Sequence, residues 1–106
     1  MSEPVYVGSC QCGRVKYEVA SEIEGVSHCH CSMCRKAHGA AFATYGSVRH
    51  EHHRFTQGEE ALREYQSSAH VIRTFCSSCG APMLWRSAFM RWLAPLRPTF
   101  SPASWV

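Results

Sequence analysis

The chain has 106 residues, enough for one domain with a thin core that a metal staple would stabilise. Its opening Met1-Ser2-Glu3-Pro4 shows no basic stretch followed by an apolar run, and no stretch reaches the ~18 apolar residues of a membrane span. The formal charge is +3 at pH 7, but the sequence also holds seven cysteines; were these thiolates on two zinc ions the charge would be zero, which removes the electrostatic case for nucleic-acid binding. The expected location is the cytoplasm.

Val5 to Ser9 and Val15 to Val19 are short strand-like runs, the second alternating Val15, Tyr17 and Val19 with Lys16 and Glu18. Between them Cys10-Gln11-Cys12-Gly13 makes a tight turn, so the pair reads as a hairpin with cysteines at its tip. Gly25 to His28 is a further strand leading into Cys29. Ser32 to His38 reads as one or two helical turns, with Ser32 as N-cap and Gly39 as the stop. Ala40 to Val48 is a buried strand, and a polar, His-rich loop from Arg49 to Arg54 follows.

Phe55 begins another strand and Gly58 to Leu62 makes a turn. Arg63 to Gln66 and His70 to Phe75 form a pair, Cys76-Ser77-Ser78-Cys79-Gly80 closes it as a knuckle, and Met83 to Trp85 leaves it. Short strands with turn signals every ten residues or so indicate a mainly β domain. Beyond Trp85 the texture changes. Trp85, Phe89, Trp92 or Leu93, and Leu96 recur at helical spacing, while Pro95, Pro98 and Pro102 forbid a long helix. Residues 86–106 read as an atypical tail, packed on or extending from a domain of residues 1–85. The sharper alternative is a stripe that meets a partner or a membrane surface.

Cys10, Cys12, Cys29, Cys31, Cys34, Cys76 and Cys79 are an odd set in a chain expected to stay in the reducing cytoplasm, which favours metal ligation over a disulfide framework. Two glycine-backed knuckles, Cys10 with Cys12 and Cys76 with Cys79, supply four thiolates for a closed, structural zinc. A redox role for Cys76 and Cys79 would need a βαβ context, and none is present. The run His28-Cys29-His30-Cys31-Ser32-Met33-Cys34-Arg35-Lys36 supplies three thiolates from a loop and a first helical turn. Three ligands leave one position for water or substrate, as in catalytic zinc sites. The alternative is a site closed by a histidine from His28, His30, His38 or the His50, His52 and His53 cluster. Arg35 and Lys36 stand beside the loop, where they offset thiolate charge and attract an anionic substrate, or simply form a solvated helix face.

The order G-S-C-x-C-G-x-V-x-Y-E-V from Gly8, C-H-C-S-M-C-R-K-x-x-G from Cys29, F-x-x-G from Phe55 and R-x-F-C-x-x-C-G from Arg73 resembles the glutathione-dependent formaldehyde-activating (GFA) family, which shares the CENP-V/GFA domain. The match runs from Gly8 to about Leu84. The resemblance implies a β-tent fold, several small coiled antiparallel sheets around a structural zinc, with one short helical turn. It gives the structural zinc to Cys10, Cys12, Cys76 and Cys79, and a catalytic zinc to Cys29, Cys31 and Cys34. The activity it implies is that of a carbon–sulfur lyase resembling S-(hydroxymethyl)glutathione synthase, in which a glutathione thiolate adds to formaldehyde or a related thiol adduct is handled. Arg35, Lys36 or a nearby His would meet the tripeptide's carboxylates. The expected partner is a small-molecule thiol, with neither membrane nor nucleic acid involved and a homo-oligomer compatible with the sequence. The alternative function is a non-enzymatic zinc module that binds a protein or chromatin partner. Family members continue through further strands with a glycine- and aspartate-containing segment, and the Arg-, Pro- and Trp-rich tail departs from that pattern.

Overall fold

Period-two alternation builds the N-terminal hairpin. In a computed structural model describing residues 6–23, 25–87, 92–95 and 100–102, β1 (Tyr6–Ser9) and β2 (Lys16–Val19) pair antiparallel. Tyr17 and Val19 turn inward and are fully buried, while Lys16 between Val15 and Tyr17 faces solvent. The chain continues through β3 (Val26–Cys29), α1 (Ser32–His38), β4 (Ala43–Val48), a 3-10 turn at His50–His52, β5 (His53–Gln57) and a second 3-10 turn at Glu59–Ala61. It ends its described course with β6 (Leu62–Ser68), β7 (Val71–Cys76), β8 (Pro82–Ser87), β9 (Trp92–Pro95) and β10 (Phe100–Pro102).

These strands make two antiparallel sheets, ordered β10-β1-β2-β5 and β3-β4-β9-β8-β7-β6. The architecture is mainly β with one seven-residue helix, the β-tent arrangement expected. Each cysteine constellation is embedded in its own core. Cys10 and Cys76 pack with Val15, Tyr17, Val19, Val48 and Met83. Cys34 packs with Ala43 and Tyr45, with Cys29 and Trp85 against them. Among the described residues no helix is long and apolar enough to cross a membrane.

Three local expectations change. The N-cap of α1 is Cys31, not Ser32: the Cys31 sulfur accepts from the Cys34 N–H, the task a Ser oxygen usually performs. Gly39 does end the helix, in the left-handed conformation. The His-rich segment is not loop throughout, because β5 starts at His53, opposite Val19 of β2. His53 shares its face with Phe55, and its ring stacks on Tyr17 at 4.7 Å, so burial among aromatics outweighs its polarity. The tail read beyond Trp85 contributes a strand to the sheet. Trp85 lies in β8, and the backbone of β9 runs between β4 and β8, where an extended chain satisfies the N–H and C=O groups of both neighbours. Phe89 and Leu96 lie outside the described residues.

Candidate metal centres and active site

Matching turns hold the first four cysteines. In one, the Val15 N–H donates to Cys10 Sγ at 3.2 Å and the Gly13 N–H to the Cys10 carbonyl at 3.1 Å. In the other, the Ser78 N–H donates to Cys76 Sγ at 3.4 Å and the Gly80 N–H to the Cys76 carbonyl at 2.8 Å. Gly13 and Gly80 both sit at φ 79°, a conformation that an L side chain would strain. Each turn therefore closes tightly with its sulfurs on one side.

The four sulfurs lie within 4.8 Å of one another, with Cys10 to Cys12 at 3.5 Å and Cys12 to Cys76 at 3.8 Å. A tetrahedron with Zn–S of ~2.3 Å has S···S edges of about 3.8 Å, so the cluster fits zinc. The thiols influence one another strongly. Burial opposes ionisation of Cys79, yet N–H groups of Ala81 and Cys12 bring it down to about 6. Cys12 is eased by the Arg14 N–H but pushed up to about 11, chiefly by Cys10. Four sulfurs this close cannot all ionise without a cation among them, which is what a metal provides.

The second cluster is local in sequence. Cys29 ends β3, Cys31 caps α1 and Cys34 sits in its first turn. Their sulfurs lie within 4.8 Å of one another, with Cys29 to Cys31 at 3.4 Å. The Cys34 N–H and the neighbouring Cys29 thiol hold Cys31 down at about 7, whereas burial and Cys34 push Cys29 up to about 11. Cys31 is exposed and Cys34 buried, so the cluster has one wet and one dry side. Three soft sulfur donors suit zinc here too.

Five of the six candidate histidines have other engagements. His28 Nδ1 lies 3.0 Å from Thr44 Oγ1, and the rings of His28 and His30 pack on Phe42. His38 Nε2 lies 3.0 Å from the Tyr45 hydroxyl, His50 faces Glu51, and His53 is buried on the other sheet. Among the described residues, no histidine nitrogen or carboxylate joins the three sulfurs in a group of that span.

Arg35 and Lys36 are exposed in the last turn of α1. A different cation touches one of the sulfurs. Arg73 of β7 donates through its guanidinium to Cys34 Sγ at 3.5 Å, to the Tyr45 hydroxyl at 3.2 Å and to Ser67 Oγ at 3.1 Å. The Tyr45 hydroxyl in turn lies 3.8 Å from Cys34 Sγ. Burial raises the Tyr45 pKa, and the neighbouring Cys34 charge raises it further. Sequence reasoning did not assign Arg73 a role at the site, although a signal existed. It stands in the strand Val71-Ile72-Arg73-Thr74-Phe75, and a charged residue in such a run needs a buried partner.

Two concavities adjoin this region. A groove of about 1160 Å³ runs from Cys10 and Cys79 past Gln11 to His28, Phe42 and Thr44. A smaller cavity of about 280 Å³ is lined by His38, Tyr45, Tyr65, Arg73, Phe75 and Trp85.

Residues 5–97 match the family described as glutathione-dependent formaldehyde-activating enzyme. The chain belongs to that family. The match extends beyond Leu84, past β8 and through β9. A curated relative, the "Putative glutathione-dependent formaldehyde-activating enzyme" of Colletotrichum graminicola, is 36% identical over 58 residues, covering 55% of this chain and 30% of the relative. The chain thus spans about a third of that relative's length. A crystal structure of a Rhodobacter sphaeroides protein from a structural genomics programme superposes with a TM-score of 0.72 at 27% identity, over 85% of this chain and 84% of that one.

Proposed function

We propose that the chain is a zinc-dependent carbon–sulfur lyase of the S-(hydroxymethyl)glutathione synthase type, joining the thiol of glutathione to formaldehyde. The observation that carries this proposal is the three-sulfur cluster of Cys29, Cys31 and Cys34, which gathers no histidine, carboxylate or further cysteine as a fourth donor among the described residues. We assign the catalytic zinc to that cluster and the structural zinc to Cys10, Cys12, Cys76 and Cys79. When bound at the three thiolates, zinc supplies the Lewis acidity that keeps an incoming thiol deprotonated at neutral pH.

In the reaction the thiol sulfur bonds to the aldehyde carbon, and the carbonyl oxygen takes up the proton the thiol gave, so the product is the S-hydroxymethyl thioether. The protein's residues place the reactants. The groove beside His28, Phe42 and Thr44 has room for a tripeptide. Arg35 and Lys36, next to groove-lining Ala37, meet its carboxylates as charge-assisted donors. The buried face of the cluster, with Cys34 against Tyr45, excludes water from one side of the sulfurs. The protein works in the cytoplasm, where its thiols stay reduced.

The test is direct. Protein loaded with zinc is mixed with glutathione and formaldehyde, and their exchange with the adduct is followed by NMR. Acceleration over the uncatalysed exchange, lost in Cys31→Ser, is the expected result. Exchange at the uncatalysed rate with both zincs bound overturns the assignment.

A further inference from the structure

Arg73 is the one guanidinium that hydrogen-bonds to a cluster sulfur among the described residues, and it arrives from a strand 39 positions away from Cys34 in sequence. Its three nitrogens are each used: Nε on Ser67, one terminal nitrogen on the Tyr45 hydroxyl and the other on Cys34 Sγ. Ser67 and Tyr45 therefore fix the plane of the fork, and the remaining arm is aimed at sulfur. Cys34 is also the buried member of its cluster, 2% exposed, so its charge has less water around it than that of Cys31. A planar, permanently charged donor suits that position better than a mobile ammonium.

We propose that Arg73 is a positioning residue for the three-cysteine centre: it supplies the fixed positive charge that balances the three thiolates and orients Cys34 as a ligand. The proposal rests on the metal assignment made above. Three thiolates with one zinc carry a net charge of −1, which Arg73 cancels, and a fourth, incoming thiolate would otherwise double the negative charge. The same bond draws electron density from the Cys34 sulfur. Partners of this kind hold metal ligands in place, and their removal typically weakens metal affinity by about 10–100-fold.

The experiment uses the full chain, as wild type, Arg73→Met and Arg73→Lys, each loaded with zinc. Competition with a chromophoric chelator separates the two zinc affinities. In Arg73→Met the weaker-held zinc is expected to loosen about 10–100-fold, with the four-cysteine zinc unchanged, and Arg73→Lys should recover part of the loss. In parallel, cobalt(II) is placed in the three-cysteine centre while zinc stays in the other. Its sulfur-to-metal charge-transfer band should move to lower energy in Arg73→Met, because a sulfur without its cation gives up an electron more easily. A merely structural role would leave that band in place. An unmoved band with affinity within about twofold of wild type overturns the proposal, as does equal loosening of both zincs. Should Arg73→Met fail to fold, Arg73→Lys decides alone, by a smaller shift of the same band or by none. A wild type that holds metal at only the four-cysteine cluster overturns both this proposal and the metal assignment beneath it. Failure in the variants alone leaves that assignment standing.

Discussion

Replacing Cys76 by Ser should cost the fold far more than replacing Cys31 by Ser, although each removes one thiolate. Cys76 is fully buried, and its cluster ties Cys12 to a strand 64 positions away. Structural zinc contributes about 10–16 kcal/mol in small metal-dependent folds, so an equal share per ligand is roughly 2.5–4 kcal/mol. A buried serine hydroxyl without a metal adds about 1–3 kcal/mol. The total, about 3.5–7 kcal/mol, rivals the whole stability expected of such a domain, about 5–15 kcal/mol. Cys31 differs in three respects. It is exposed, its cluster spans only Cys29 to Cys34, and a serine there can still cap α1 through the Cys34 N–H. Loop closure alone makes the longer tie worth about 2 kcal/mol more than the shorter one. Thermal melts by circular dichroism, with zinc counted in each purified variant, test this. We expect Cys76→Ser to be unfolded or to melt some tens of degrees lower, and Cys31→Ser to keep its fold while losing one zinc and the exchange activity. Equal losses of melting temperature would refute the division into a structural and a catalytic centre.

Burial holds His53 down at about 4, below its ordinary value near 6.5, so the unfolded chain takes up a proton that the folded chain refuses. Stability is therefore complete above about pH 6.5 and falls by roughly 3 kcal/mol as the pH drops toward 4. In urea titrations His53→Phe should lose that part of the acid dependence, and an unchanged slope between the two forms would reject the assignment. Gly80→Ala meets no atom within 4 Å of the new Cβ, so only the left-handed backbone opposes it. The cost should be about 1–2 kcal/mol, read as a lower melting temperature, and a wild-type melt would show that the knuckle carries no such constraint. Joint replacement of Arg35 and Lys36 by alanine should raise KM for glutathione, by up to about fivefold per exposed charge contact, with kcat unchanged. An unaltered KM would remove them from the glutathione site.

The cysteines were legible because ligand spacing is a short-range property. Cys10 with Cys12, and Cys76 with Cys79, announce their turns through Gly13 and Gly80, and these keep the same φ in the folded chain. The short strands were legible for the same reason, since alternation at Val15, Tyr17 and Val19 depends only on neighbours. What failed was whatever depends on the partner strand. His53 looked like loop because its neighbours His50, Glu51 and His52 are polar, and only its register opposite Val19 puts its ring on Tyr17. The segment after Trp85 read as an atypical tail because its apolar residues lack strand alternation and prolines interrupt it, yet its β9 runs extended in the gap between β4 and β8.

Arg73 shows why the candidate site was only half visible. Arg35 and Lys36 are the cations that adjoin Cys34 in sequence, and on α1 they face solvent. A charge is felt more strongly where water is excluded, and Cys34 is reached from its dry side, across the core it shares with Tyr45. The side chains that approach from there, Tyr45 and Arg73, belong to β4 and β7. Sequence proximity thus gathers the three sulfurs of this cluster, while the guanidinium that hydrogen-bonds to Cys34 comes from a distant strand and the nearby cations remain on the wet side.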